Sequence, residues 1–236
     1  MKIDLYPKFE EVFDDKQLEG IFYPLCKISD LAKGLPQSLF FVSTNGLWMD
    51  ETNETAYNGF SFTIFDIIEG KYAFKGDLNL YKGYTIAQKI FPIIQQDFAR
   101  QGSTFLSDKM QPEQYIKYIK PRLAVQSSDF DLDYYLETFY AYSINQLNYE
   151  QTGNFGAYRA VIDGWSNLGE SPQVYETQNF GDIEVNSEYL LPHTVSLDQY
   201  TKIGYIIGHE FFHDGNDCYL AYNPTHKNVL CINQYS

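Results

Sequence analysis

The sequence predicts an α+β protein: a helical middle, a mainly antiparallel sheet and a C-terminal β-hairpin. Three observations predict it. Apolar residues recur at helical spacing through the middle third, as in Leu132, Leu136, Phe139 and Leu147. Residues 60–65 alternate as a strand does, Phe60-Ser61-Phe62-Thr63-Ile64-Phe65. Near the end, Cys218-Tyr219-Leu220-Ala221-Tyr222 and Asn228-Val229-Leu230-Cys231-Ile232-Asn233 flank the turn-forming Asn223-Pro224-Thr225-His226-Lys227.

Taken in order, residues 7–19 place Phe9, Val12 and Phe13 at helical spacing before Gly20. Residues 36–44 read as a short helix, opened by Pro36 and closed by Asn45-Gly46. Residues 50–58 are polar and read as a loop. A helix over 84–100 follows, with Ala87, Ile90, Phe91, Ile94 and Phe98 on one stripe and Pro92 expected to kink it or delay its start. Residues 112–120 form a short helix closed by Pro121. The clearest helix spans 131–149, with Leu132, Leu136, Phe139, Ser143 and Leu147 on one face and Asp129, Asp131 and Asp133 at its N-terminus, where the macrodipole favours anions. Residues 155–165 read as a further helical turn or more. Beyond Gly169, Val174-Tyr175-Glu176 and Ile183-Glu184-Val185 read as strands. The whole fits one domain over 1–236, and residues 127–128 are where a weak subdivision fits.

The 236 residues are 44% apolar and 17% aromatic, enough apolar surface for a packed core. No run of about 18 apolar residues occurs, so no membrane span is expected. The N-terminus lacks a basic region followed by an apolar one, so the chain reads as cytoplasmic. Cys26, Cys218 and Cys231 are odd in number and form no CxxC pair, which fits reduced thiols.

Net charge is −14, and its distribution is uneven. Between Leu123 and Thr201 there are twelve acidic residues and one basic residue, Arg159. Such a field repels nucleic acid, whose affinity rests on neutralising phosphates, and it speeds encounter with a basic protein. The densest groups are Asp129, Asp131 and Asp133, then Asp182, Glu184 and Glu188. Tyr134, Tyr135 and Tyr142 lie beside the first group, and tyrosine is enriched where binding energy concentrates. These nine residues are the candidate partner-binding site.

One motif offers a different chemistry. His209-Glu210-Phe211-Phe212-His213 matches HExxH, which on a helix brings two His to one face as zinc ligands with Glu as general base. The alternative function is therefore a zinc-dependent hydrolase using His209, Glu210 and His213. The preceding Ile203-Gly204-Tyr205-Ile206-Ile207-Gly208 suits a strand or bend better than a helix, and on a strand residues four apart are about 13 Å apart. No Glu follows Glu210 to complete the ligands. The expected protein is thus no enzyme and carries no metal or cofactor.

Two parts of the chain resemble the SUKH (SMI1/KNR4-like) family of immunity and interaction proteins. They are Leu35-Pro36, Leu39 and Asn45-Gly46 at one end. At the other are Ile203-Gly204-Tyr205-Ile206, Asp214-Gly215-Asn216-Asp217 and the hairpin strands. Residues 47–199 have no counterpart in that pattern, and its closing helix is missing. The resemblance implies an α+β domain that binds a toxin in the producing cell, with no catalytic residue carried over. The expected function is an acidic immunity protein that neutralises a basic toxin by direct occlusion.

Overall fold

The computed structural model describes residues 1–125, 130–157, 166–169, 172–175, 193–212 and 217–234. Three strands, β1 (Lys2–Leu5), β2 (Phe22–Ser29) and β3 (Ser38–Thr44), form one antiparallel sheet in sequential order. A second sheet contains β4 (Phe62–Ile68), β5 (Lys71–Phe74), β8 (Thr201–Ile206), β9 (Asp217–Asn223) and β10 (Asn228–Gln234). Its order is β5-β4-β10-β9-β8, antiparallel throughout. A small pair, β6 (Phe155–Ala157) and β7 (Ser166–Gly169), stands apart. The helices are α1 (Phe9–Val12), α2 (Tyr84–Ser107), α3 (Pro112–Ile119) and α4 (Leu132–Thr152). This is the expected α+β class, hairpin included.

Strand alternation explains the layering. Phe22 and Tyr23 are neighbours in β2 and therefore point to opposite faces. Phe22 meets Phe65 of the five-stranded sheet edge to face at 5.1 Å. Tyr23 meets Tyr142 of α4 at 4.9 Å. The three-stranded sheet is thus the middle layer, with helices on one face and the larger sheet on the other. Polar atoms tie the layers together. The Tyr72 hydroxyl donates to the Phe40 carbonyl at 2.9 Å and accepts from the Phe40 N–H at 2.8 Å. The Tyr142 hydroxyl donates to the Pro24 carbonyl at 2.6 Å. The outer face of the larger sheet has its own apolar cluster, where Phe62, Ile64, Tyr219, Leu230 and Ile232 pack with Tyr200, Val195 and Leu197.

Several expectations need correction. Residues 38–44 are strand β3, not helix. Leu39, Phe40, Phe41 and Val42 are all buried, because a middle-layer strand is covered on both faces and so loses the polar–apolar alternation that marks a half-buried one. Asn45-Gly46 therefore ends a strand, and Gly46 at φ +86° lets the chain pass α4, where a Cβ would stand 3.2 Å from that of Thr138. The stretch that carried the N-terminal half of the SUKH resemblance has this strand conformation. Residues 155–157 are likewise strand β6, not helix. The helix expected over 7–19 shrinks to α1 and a 3-10 turn at Lys16–Leu18. Helix α2 runs through Pro92 without a delayed start, with the proline on its exposed side.

Helix α4 is not the one-faced helix that its stripe suggested. Tyr135, Leu136, Thr138, Phe139, Tyr140, Ala141, Tyr142, Ile144 and Asn145 are all buried, whereas Leu132, Ser143 and Leu147 are only half-buried. It packs against the sheet, α2 and α3 at once, so apolar contact surrounds most of its circumference. Gly153, at φ +71°, ends it as its left-handed C-cap. Cys26, Cys218 and Cys231 are free thiols inside the core. Among the described residues no helix is long and apolar enough to cross a membrane.

Candidate functional site

Five of the nine residues grouped by sequence lie among the described residues, all on α4 or at its N-cap, and their surroundings differ. Asp131 is the N-cap of α4, its carboxylate accepting from the Tyr134 N–H at 3.0 Å. Asp133 pairs with Lys120 at 2.6 Å. Both are exposed, yet both are already engaged. Tyr134 stacks on Trp48 with ring centroids 5.0 Å apart and donates its hydroxyl to Asn45. Tyr135 is fully buried, and Tyr142 is buried against Tyr23 and Phe212. These two belong to the core, because α4 is enclosed where a surface helix would show them, and burial pushes both phenols well above the ordinary tyrosine range. A partner at the surface therefore does not meet the Tyr135 ring. Asp129, Asp182, Glu184 and Glu188 lie outside the described residues.

The HExxH segment is partly visible. His209 is exposed on a 3-10 turn, Gly208–Glu210, that follows β8, and Phe211 and Phe212 anchor the chain after it in the core. Residues 208–212 form no α-helix, so the shared helical face that the zinc reading needed is not formed there; His213 lies outside the described residues. Glu210 faces Asp217 instead. Burial pushes the Glu210 carboxyl above the usual range, and Asp217 pushes it further. Burial likewise raises Asp217, opposed by His209 and by a hydrogen bond from the Gly208 backbone. Among the described residues no group of three or more His, Cys, Asp or Glu is placed to hold a metal ion.

A different site emerges where the helices meet the N-terminal segment. An open groove of about 520 Å³ lies between α2, α4, α1 and the start of β2, within the size range typical of ligand sites. Helix α2 turns Phe91, Gln95, Phe98, Ala99 and Ser103 toward it, and α4 turns Phe139, Ser143, Gln146 and Glu150. Each set recurs at three- and four-residue spacing, so each is one continuous helical face.

Aromatic rings make the floor. Phe139 is buried and meets Phe91 at 5.8 Å and Phe98 at 5.9 Å, both edge to face. Phe9, Phe91 and Phe98 are half-buried, so part of each ring remains open to solvent. Gly20 brings the loop before β2 against this floor. Its φ is +74°, and a Cβ there would stand 2.6 Å from the Tyr135 hydroxyl and inside contact distance of the Phe91 ring.

Carboxylates make the rim. Among the described residues, Glu10, Glu19 and Glu150 line the groove against a single lysine, Lys8. None of the three forms an ion pair among the described residues. Burial pushes the Glu19 carboxyl above its ordinary range, opposed by Lys16 and assisted by Glu10. One further residue belongs here. Tyr23 lines the groove at 4% exposure, and its hydroxyl has no hydrogen-bond partner.

Among the described residues proposed from sequence, only Tyr142 borders this groove. Sequence reasoning missed Glu10, Glu19, Phe91 and Phe98 because they come from three separate segments, and the helical spacing of Phe91 and Phe98 looked like ordinary core. Comparison with family models, curated proteins and solved structures finds no match for the chain.

Proposed function

We propose that this chain is a binding protein that receives a basic protein partner at the groove between α2 and α4. The observation that carries this reading is an aromatic floor whose rim, among the described residues, holds three glutamates against one lysine. An apolar floor supplies contact area that excludes water, and a carboxylate rim selects for positive charge and steers its approach. The acidic balance of the whole chain, −14, extends the same attraction to longer range. The partner that the SUKH resemblance supplies is a basic toxin domain, occluded in the cytoplasm of the cell that makes it.

The test is growth rescue. A basic toxin domain encoded beside this chain is expressed alone, with the wild type, and with a Glu19→Lys/Glu150→Lys variant. Rescue by the wild type and its loss with the charge reversals support the reading. Equal rescue by both moves the contact away from the groove. Failure of the wild type to rescue refutes toxin neutralisation.

A further inference from the structure

The groove's chemistry narrows what enters it. Beside Lys8, Gln95, Ser143 and Gln146, its polar lining includes the carboxylates of Glu19 and Glu150 and the residue Tyr23, whose hydroxyl is buried without a partner. A phenol buried without a partner is destabilised, so a ligand that supplies the missing hydrogen bond recovers that cost. Beside these acceptors lie the half-open rings of Phe91 and Phe98, whose faces attract a cation through their quadrupole.

A lysine ammonium is compact, strongly hydrated and offers three donors. A guanidinium is flat, more weakly hydrated and offers five donors in a rigid fork, so it stacks on an aromatic face while bonding several acceptors in its own plane. Aromatic faces next to dispersed acceptors match the second shape. We infer that the partner's anchor in this groove is an arginine side chain, stacked on the Phe91–Phe98 floor, donating to Glu19 and Glu150 at the rim and to the Tyr23 hydroxyl below. This rests on the reading of the groove as a site for a basic partner.

The test uses three small probes titrated into the full chain at low salt: N-acetyl-arginine amide, its lysine counterpart and the neutral citrulline isostere. Binding is followed by backbone amide shifts at Gly20, Phe98 and Ser143, with the remaining amides reporting an intact fold. The expected result is saturable shifts for arginine with a Kd at least three-fold lower than for lysine, and no saturation for citrulline. Glu19→Gln/Glu150→Gln should abolish the arginine shifts. Tyr23→Phe, which keeps the ring, should weaken them two- to five-fold. Equal binding of arginine and lysine overturns the arginine anchor but leaves a cation site. Equal binding of citrulline overturns the cationic reading as well. No saturable shift at these three amides with any probe overturns the inference, while the growth assay above judges the toxin reading separately.

Discussion

Replacing Tyr142 by Phe removes one hydroxyl from the junction between the helical layer and the middle sheet, and its cost is calculable. That hydroxyl donates to the Pro24 carbonyl at 2.6 Å inside the core, across 118 residues of sequence. Pro24 interrupts β2, since the register with β3 shifts between Pro24 and Cys26. A buried group deprived of its partner costs about 1–3 kcal/mol, and the lower half of that range applies because a carbonyl has a second lone pair. Tyr142→Phe should therefore destabilise by about 1–2 kcal/mol, or about 2–8 °C in Tm for a chain of this size.

The control lies about two turns earlier on the same side of the same helix. Tyr135 is equally buried, but its hydroxyl has no partner. Tyr135→Phe removes a desolvated group that nothing compensates, so its stability should equal or exceed the wild type's. Urea melts followed by circular dichroism provide the comparison, with unchanged m values as the check that both variants unfold from the same state. If Tyr142→Phe and Tyr135→Phe shift the midpoint by the same amount, hydrogen bonding does not distinguish these two phenols and the reasoning fails.

Three other predictions follow from the same structure. The thiols of Cys26, Cys218 and Cys231 are buried, and burial raises all three, that of Cys231 to about 12, so a thiol reagent should modify none in the native protein at pH 8 and three per chain in urea. Asp131→Ala should cost about 1 kcal/mol by uncapping α4, whereas Asp133→Ala, breaking an exposed pair with Lys120, should cost less than about 0.5 kcal/mol; thermal melts separate the two. Glu210 is raised in the fold by burial and by Asp217, so its protonated form is favoured there and its contribution is lost as pH rises through the folded value. Glu210→Gln should therefore raise Tm at pH 7, and the gain should vanish as pH falls below about 4, the value for a carboxyl in the unfolded chain.

The sequence reveals elements best where one face is wet. The hairpin of β9 and β10, strand β4, and helices α2 and α3 carry patterns that solvent enforces, and they lie close to where spacing put them. Strands β2 and β3 carry no such pattern. Phe22-Tyr23-Pro24-Leu25-Cys26 and Leu39-Phe40-Phe41-Val42 are apolar without interruption because both faces are covered, and short apolar runs do not separate helix from strand. A proline within β2 obscured it further, and its place at a bulge is where a strand tolerates one. Tyr135 and Tyr142 escape the sequence pattern for a related reason: proximity to aspartates suggests surface, whereas the middle sheet, α2 and α3 together enclose the helix. The groove was illegible because Glu10, Glu19, Phe98 and Glu150 are neighbours only after α2 and α4 have packed beside β2.

Strand β10 has a consequence for how the protein is made. It lies between β4 and β9, and its start at Asn228 comes 160 positions after the end of β4 at Ile68. At about 5–20 residues per second, a ribosome takes about 8–32 s to cover that distance. Throughout that interval Phe62, Ile64 and Phe65 present an unpaired strand edge, a template for pairing with another nascent chain. The larger sheet cannot close during synthesis in the order of its strands. It waits for a late insertion between two earlier pieces, so yield in cells should depend on what shields β4 in the meantime, such as a holdase chaperone or slow initiation that keeps nascent chains apart.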